Sequence, residues 1–163
     1  MVKSLLKPEI KQWFDKSIES ELYASNLYKH IANNMQRLGF FGVQKYFLKE
    51  SNEELEHYQK IVDFVNDMGD ISMVMAVPKM TDKILSISDA LEIAYETEVD
   101  LMKQYQKFYE EAEDKYKDCV TATFLIEFLQ IQRKSVGEYG DLNSRYEKNK
   151  NDVFEFDEYM GEK

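Results

Sequence analysis

Four times along this chain, core-facing residues recur at alternating steps of three and four, and nothing else in the sequence constrains its fold as strongly. That spacing keeps side chains on one face of an α-helix and gives each helix a single stripe to bury. The first stripe runs Ile10, Phe14, Ser17, Glu21, Ala24, Tyr28, Ile31, Met35. It starts just inside Pro8, a residue tolerated in a first helical turn, and Gly39 ends it. The second runs Val43, Phe47, Glu50, Glu54, His57, Ile61, Phe64, Met68, with Gly69 just past its end, where a C-terminal glycine belongs. The third is Ile87, Leu91, Ala94, Glu98, Leu101, Tyr105, Phe108, Ala112; it opens at Ser88 and Asp89, with Asp89 and Glu92 spaced like a capping box. The fourth is Thr121, Leu125, Phe128, Gln132, Ser135, Tyr139, Leu142, Tyr146.

The spacing therefore predicts helices over about 8–37, 41–68, 87–114 and 118–147, each about 40 Å long at 1.5 Å per residue. The first two are joined by a short turn and must lie antiparallel. Residues 69 to 86, which include the apolar run from Ile71 to Val77 before Pro78, are too many for a tight turn. At about 3.3 Å per residue they span the full bundle and make the second and third helices parallel. After a polar break at Glu147 to Asn151, the tail from Asp152 to Met160 reads as a short fifth helix. The expected architecture is an all-α, four-helix up-down bundle with one long crossover between helices two and three and a short C-terminal helix. All 163 residues are expected to form a single domain, which at this length buries a core without disulfides.

Charge and cysteine content narrow the function classes. A net charge of -10 disfavours nucleic acid, which is held by basic patches that displace counterions, and favours cations. Cys119 is the only cysteine, so neither an intrachain disulfide nor a thiolate metal site is available, and a reducing cytoplasm suits the chain. No apolar run reaches signal-peptide or membrane-spanning length, so no membrane partner is expected.

The stripes fail at one level. Glu21, Glu54 with His57, Glu98 and Gln132 occupy inward positions near the middles of four helices, and a bundle brings those midpoints together. Three carboxylates in a low-dielectric interior cost several kcal/mol each unless compensated, and no Lys or Arg shares these inward positions. A bound cation is the remaining compensation. Glu54 and His57 are spaced i, i+3 and project to one point, the Glu-x-x-His arrangement of carboxylate-bridged metal pairs. Carboxylates with one imidazole suit iron or manganese rather than tetrahedral zinc. A lone Glu-x-x-His is common on helix surfaces; its register and three partners set this one apart.

Those residues carry a resemblance. Glu21-Leu22-Tyr23-Ala24-Ser25, Lys45-Tyr46-Phe47-Leu48 and Glu53-Glu54-Leu55-Glu56-His57 resemble the matching stretches of heavy-chain-type ferritins. Gln132-Arg133-Lys134-Ser135 followed by Gly140-Asp141 is similar to the fourth-helix segment of that family. The resemblance implies an iron-storing ferroxidase that binds two Fe(II) per subunit, oxidises them with dioxygen or hydrogen peroxide, and assembles as a shell of 24 copies. It implies that Glu21 and His57 complete one iron site, Glu54 bridges, Glu98 completes the other, and Gln132 hydrogen-bonds nearby. Tyr28 matches a tyrosine beside the family's diiron centre, with ordinary core packing as its alternative role. Glu53 and Glu56 resemble carboxylates at the site edge or cavity; a solvated helix face is the plainer reading of Glu56. His30 falls off the stripe and reads as a surface histidine.

Two features separate the chain from relatives. Haem-binding bacterioferritins resemble this fold but carry a second Glu-x-x-His on the fourth helix and a methionine after the bridging glutamate, where this chain has Gln132 to Ser135 and Leu55; no haem is expected. Glu53 resembles one member of a third iron site seen in several bacterial ferritins, but Ile131, Lys134 and Ser135 stand where its fourth-helix acids would lie, so no third iron is expected. Two other classes compete: a non-catalytic metal-buffering subunit, which would have lost ligands, and a DNA-protecting mini-ferritin, whose ligands come from two subunits.

Overall fold

A computed structural model describes residues 2–163, which among themselves form five helices and no strand. They are α1 (Pro8–Leu38), α2 (Phe41–Asp67), α3 (Ile87–Asp114), α4 (Cys119–Lys148) and α5 (Val153–Glu162). The helix ends follow local chemistry. Gly39 adopts a left-handed φ of 85°, and its N–H and that of Phe40 close onto the carbonyls of Gln36 and Met35. Asp118 and Asp152 accept the N–H groups of Thr121 and Glu155 and so cap α4 and α5. At α3 the expected box is displaced by three residues. Ser86 accepts from the Asp89 N–H at 3.1 Å, and Asp89 accepts from the Leu85 N–H at 2.9 Å, so the helix begins at Ile87.

The start of α2 has no local cap; Asp157 of α5 supplies one, accepting the Val43 N–H at 2.8 Å. Gly42 makes this approach possible, since a β-carbon there would lie 1.8 Å from the Asp157 carbonyl oxygen. The Lys45 and Lys49 ammonium groups reach the carbonyls of Gly161 and Lys163 at the other end of α5. In this way α5 is fastened to α2 of its own chain.

The helices form the expected up-down bundle: α1 packs most extensively on α2 and α3 on α4, and residues 68–86 return the chain along the bundle. Along that return, Ile84 is buried, Ile71, Met73 and Val74 are exposed, and the Asp82 carbonyl meets His30 Nε2 at 2.9 Å. His30 is thus half-buried against the crossover rather than on open surface. No described helix is long and apolar enough to cross a membrane.

Two apolar clusters fill the bundle, one toward each end. One contains Ile10, Phe14, Ile18, Ile61, Phe108 and Phe128; the other contains Ile31, Met35, Phe47, Leu91, Tyr139 and Phe156. Between them lies a waist of buried polar residues: Glu21 and Ser25 of α1, Glu50, Ser51 and Glu54 of α2, Glu98 of α3 and Gln132 of α4. Ser25 and Ser51 satisfy one another, each hydroxyl donating to the other's carbonyl at 2.9 Å. The carboxylates of the waist are answered only in part: Glu21 keeps one oxygen without a partner.

Candidate metal centre

Glu21, Glu54 and His57 each turn a ligand-type atom to one point, all within 4.8 Å of one another. His57 Nδ1 lies 3.1 Å from Glu54 Oε2 and 3.7 Å from Glu21 Oε2. The i, i+3 spacing on α2 brings Glu54 and His57 together, and the antiparallel pairing of α1 with α2 adds Glu21. Glu98 approaches from α3. Gln132 of α4 donates from its amide to Glu98 Oε2 at 2.7 Å and to the Glu98 carbonyl at 3.3 Å. The Tyr28 hydroxyl donates to Glu98 Oε1.

Tyr105 was legible only as a stripe residue. Its hydroxyl donates to Glu21 Oε1 from full burial, so each flanking carboxylate has one tyrosine holding one of its oxygens. An aromatic on an apolar stripe signals packing, and only the facing acid one helix away reveals the second role. Glu50 was likewise read as part of the α2 stripe. It is buried one turn before Glu54, with the Tyr139 hydroxyl 3.5 Å from its Oε2. Glu53 points outward instead, half exposed, with Lys49 at 4.0 Å, and Glu56 is exposed.

The electrostatics describe a site short of positive charge. Burial first, then the neighbouring Glu21 and Glu98 charges, push the Glu54 carboxyl well above its ordinary range. Burial also raises Glu98, against the opposing hydrogen bonds from Tyr28 and Gln132. Glu50 is pushed up to about 8, by burial and then by Glu53, Glu138 and Glu98. Burial pulls His57 down, but the hydrogen bond and charge of Glu21 outweigh it and leave the imidazole raised. Tyr28 and Tyr105 are raised well above the usual phenol range by burial and by the acids they touch, which keeps them as donors.

Two polar atoms at this level are buried without a partner, Glu21 Oε2 and Gln132 Oε1. An orphaned carboxylate oxygen costs far more than a hydrogen bond returns, and among the described residues no lysine or arginine pairs with Glu21, Glu54 or Glu98. A hard divalent cation taking oxygen ligands and one imidazole fits this donor set.

A sequence model of the ferritin-like domain matches residues 13–148. A bacterial non-heme ferritin of Staphylococcus saprophyticus is 27% identical over 128 residues, covering 78% of this chain and 76% of the relative. One from Staphylococcus haemolyticus is 24% identical over 136 residues, covering 82% and 81%. Among solved structures, an open-pore ferritin from the archaeon Archaeoglobus fulgidus superposes with a TM-score of 0.91 at 24% identity, covering 96% of this chain and 97% of the other. An engineered closed form of that ferritin gives 0.92 at 24% identity, covering 96% of each chain. With that domain spanning most of the sequence and the bundle, crossover and short fifth helix all present, the chain belongs to the ferritin family.

Proposed function

We propose that this chain stores iron and oxidises it on the way into the store, taking two Fe(II) per subunit as substrate at the waist of the bundle. One observation carries the reading: Glu21, Glu54 and His57 converge from two helices with the buried Glu98 of a third beside them, an oxygen of Glu21 is left unpartnered, and among the described residues no lysine or arginine pairs with these acids. Glu21 and His57 hold the first iron, Glu54 spans both, and Glu98 holds the second. Tyr105 and Tyr28 each fix one oxygen of Glu21 and Glu98 by donating to it, which orients the other oxygen. Gln132 steadies Glu98 through its amide N–H, and its carbonyl oxygen stays buried without a partner.

Iron supplies the electrons and dioxygen or hydrogen peroxide accepts them; the protein's part is to position both and exclude competing ligands. Because burial holds Glu54 and Glu98 toward their protonated forms, binding the cation releases protons, and affinity rises with pH until those groups are ionised. Leu55 has no atom to coordinate haem iron, so the protein works without haem. Glu53, turned toward Lys49, does not hold a third iron tightly, since Ile131, Lys134 and Ser135 occupy the fourth-helix positions where acids would complete such a site. The whole chain acts as one domain in a homo-oligomeric cage of 24 cytoplasmic subunits.

The test is to add Fe(II) aerobically to the metal-free protein and record ferric absorbance together with particle size. A fast ferric signal on a cage-sized particle supports the reading. A monomer or dimer that forms no ferric species contradicts it.

A further inference from the structure

A cavity of about 480 Å³ opens between α1 and α3 under the crossover, lined by none of the residues of the metal centre. Its volume is that of a small-molecule site. Leu27, Pro78, Ile93 and Leu101 give it an apolar lining, and Leu27 and Leu101 are themselves buried. Four carboxylates stand around it against one ammonium: Glu19 on α1, Asp82 on the crossover, Glu96 and Asp100 on α3, and Lys16. Lys16 reaches Glu19 at 3.4 Å, whereas among the described residues no ion pair involves Asp82, Glu96 or Asp100. Glu96 and Asp100 are one turn apart on α3, a like-charged pair that repels itself. Asp82 lies close enough to Tyr23 for its charge, after burial, to raise the phenol.

One amide in the wall lacks a partner. Ser20 Oγ lies 2.9 Å from the Lys16 carbonyl and 3.2 Å from Gln104 Oε1, while Gln104 Nε2 is buried with nothing to bond. A hydroxyl has one proton, and the shorter contact with Lys16 takes it, so toward Gln104 the serine accepts. The amide turned to donate to Ser20 leaves its carbonyl oxygen as the atom that needs a donor. A bare metal ion does not fit this cavity. It needs ligand atoms drawn to one point, and among the described residues the group that does so is Glu21, Glu54 and His57. The carboxylates here stand apart on three elements, over an apolar lining, which suits a longer guest with charge at both ends.

We propose that this cavity binds a linear aliphatic diamine or polyamine, with one ammonium at Asp82 and Tyr23, another at Glu96 and Asp100, and the methylene chain along Leu27, Ile93 and Leu101. Each ammonium neutralises carboxylates that have no partner in the protein, and the Tyr23 ring adds an aromatic face to the first. An N–H of the guest meets the Gln104 oxygen. The chain of carbons covers apolar lining that water otherwise wets. Held at both ends, the guest ties the crossover to α3. Nothing in this binding depends on iron or its oxidation.

The test titrates the metal-free protein with putrescine, a four-carbon diamine, by calorimetry at constant ionic strength, with n-butylamine as the guest of equal carbon count and a single ammonium. Putrescine should saturate at one per subunit and bind roughly fivefold or more tightly than n-butylamine. Asp82→Asn and Asp100→Asn should each weaken it by roughly threefold to fivefold. Glu155→Gln removes the same charge from α5 and should leave it unchanged. Bound putrescine should also slow amide exchange at Lys79 to Asp82. The absence of saturable binding would overturn the site. So would equal affinity for the two amines, or an equal loss in Glu155→Gln and Asp100→Asn, since either reduces the binding to general attraction by an acidic chain.

Discussion

The ends of this bundle and its waist are built on opposite terms. At the ends, Phe14, Phe64 and Phe124 on one side and Phe47, Tyr139 and Phe156 on the other bury apolar surface, which stabilises the fold whether or not anything is bound. At the waist, Glu50, Glu54 and Glu98 are buried with their proton affinities raised, which weakens the metal-free fold as they ionise. Identical helices pass through both regions, so the difference lies in a few inward positions. A fold this long can tolerate a costly layer because the layers above and below it are not costly, and the cost is recovered when a cation binds.

The largest effect should come from an end. Phe14 is almost fully buried, with ring centroids 5.1 Å from Phe64 and 5.7 Å from Phe124, so Phe14→Ala should lose about 3–5 kcal/mol in urea unfolding of the metal-free protein. A loss under about 1 kcal/mol would mean that the ends do not carry the fold. At the waist the balance reverses. Glu54→Ala should slow iron oxidation by roughly 10–100-fold in stopped-flow absorbance without lowering the melting temperature of the metal-free protein at pH 8. Loss of stability there would show that Glu54 is a packing residue.

Acidity sharpens the same contrast. Between the unfolded carboxyl value near 4.5 and about 8, the folded chain holds a proton on Glu50 that the unfolded chain has released, and Glu54 and Glu98 are raised in the same direction by burial. Stability of the metal-free protein should therefore fall as pH rises through that window. The raised His57 has the same sign, since its stabilisation is lost as pH rises through its folded value. Calorimetry in chelator from pH 5 to 8 checks this, and Glu50→Gln should flatten part of the slope; a melting temperature that climbs over this range would refute the burial of charge. The smallest effect should be local. Gly42→Ala places a methyl group against the Asp157 carbonyl and should release α5 while leaving the four-helix core intact, seen as faster amide exchange confined to Val153–Glu162 and the first turn of α2.

What could be read in advance follows the same division. The four helices and the crossover were legible because a period of three and four repeats over many residues, and the inward acids stood out against that period. The α3 cap lies three residues earlier than the sequence spacing predicts because Ser86 with Asp89 and Asp89 with Glu92 share the same spacing, and only the Asp89 carboxylate reaching the Leu85 N–H distinguishes them. Tyr105 and Glu50 were visible as stripe members but not as neighbours of the centre, since their significance lies on a facing helix. The Asp157 cap on α2 joins residues 114 positions apart, and no local pattern announces it. Tyr28, Glu98 and Gln132 meet at the level their positions implied.

Anaerobic titration of the metal-free protein with Fe(II), followed by calorimetry of binding and of thermal unfolding, bears most directly on whether the waist is a metal centre. Binding should saturate at two irons per subunit, release protons, and raise the melting temperature while removing its fall with pH. Saturation at zero or one, or an unchanged melting temperature under excess Fe(II), would contradict it.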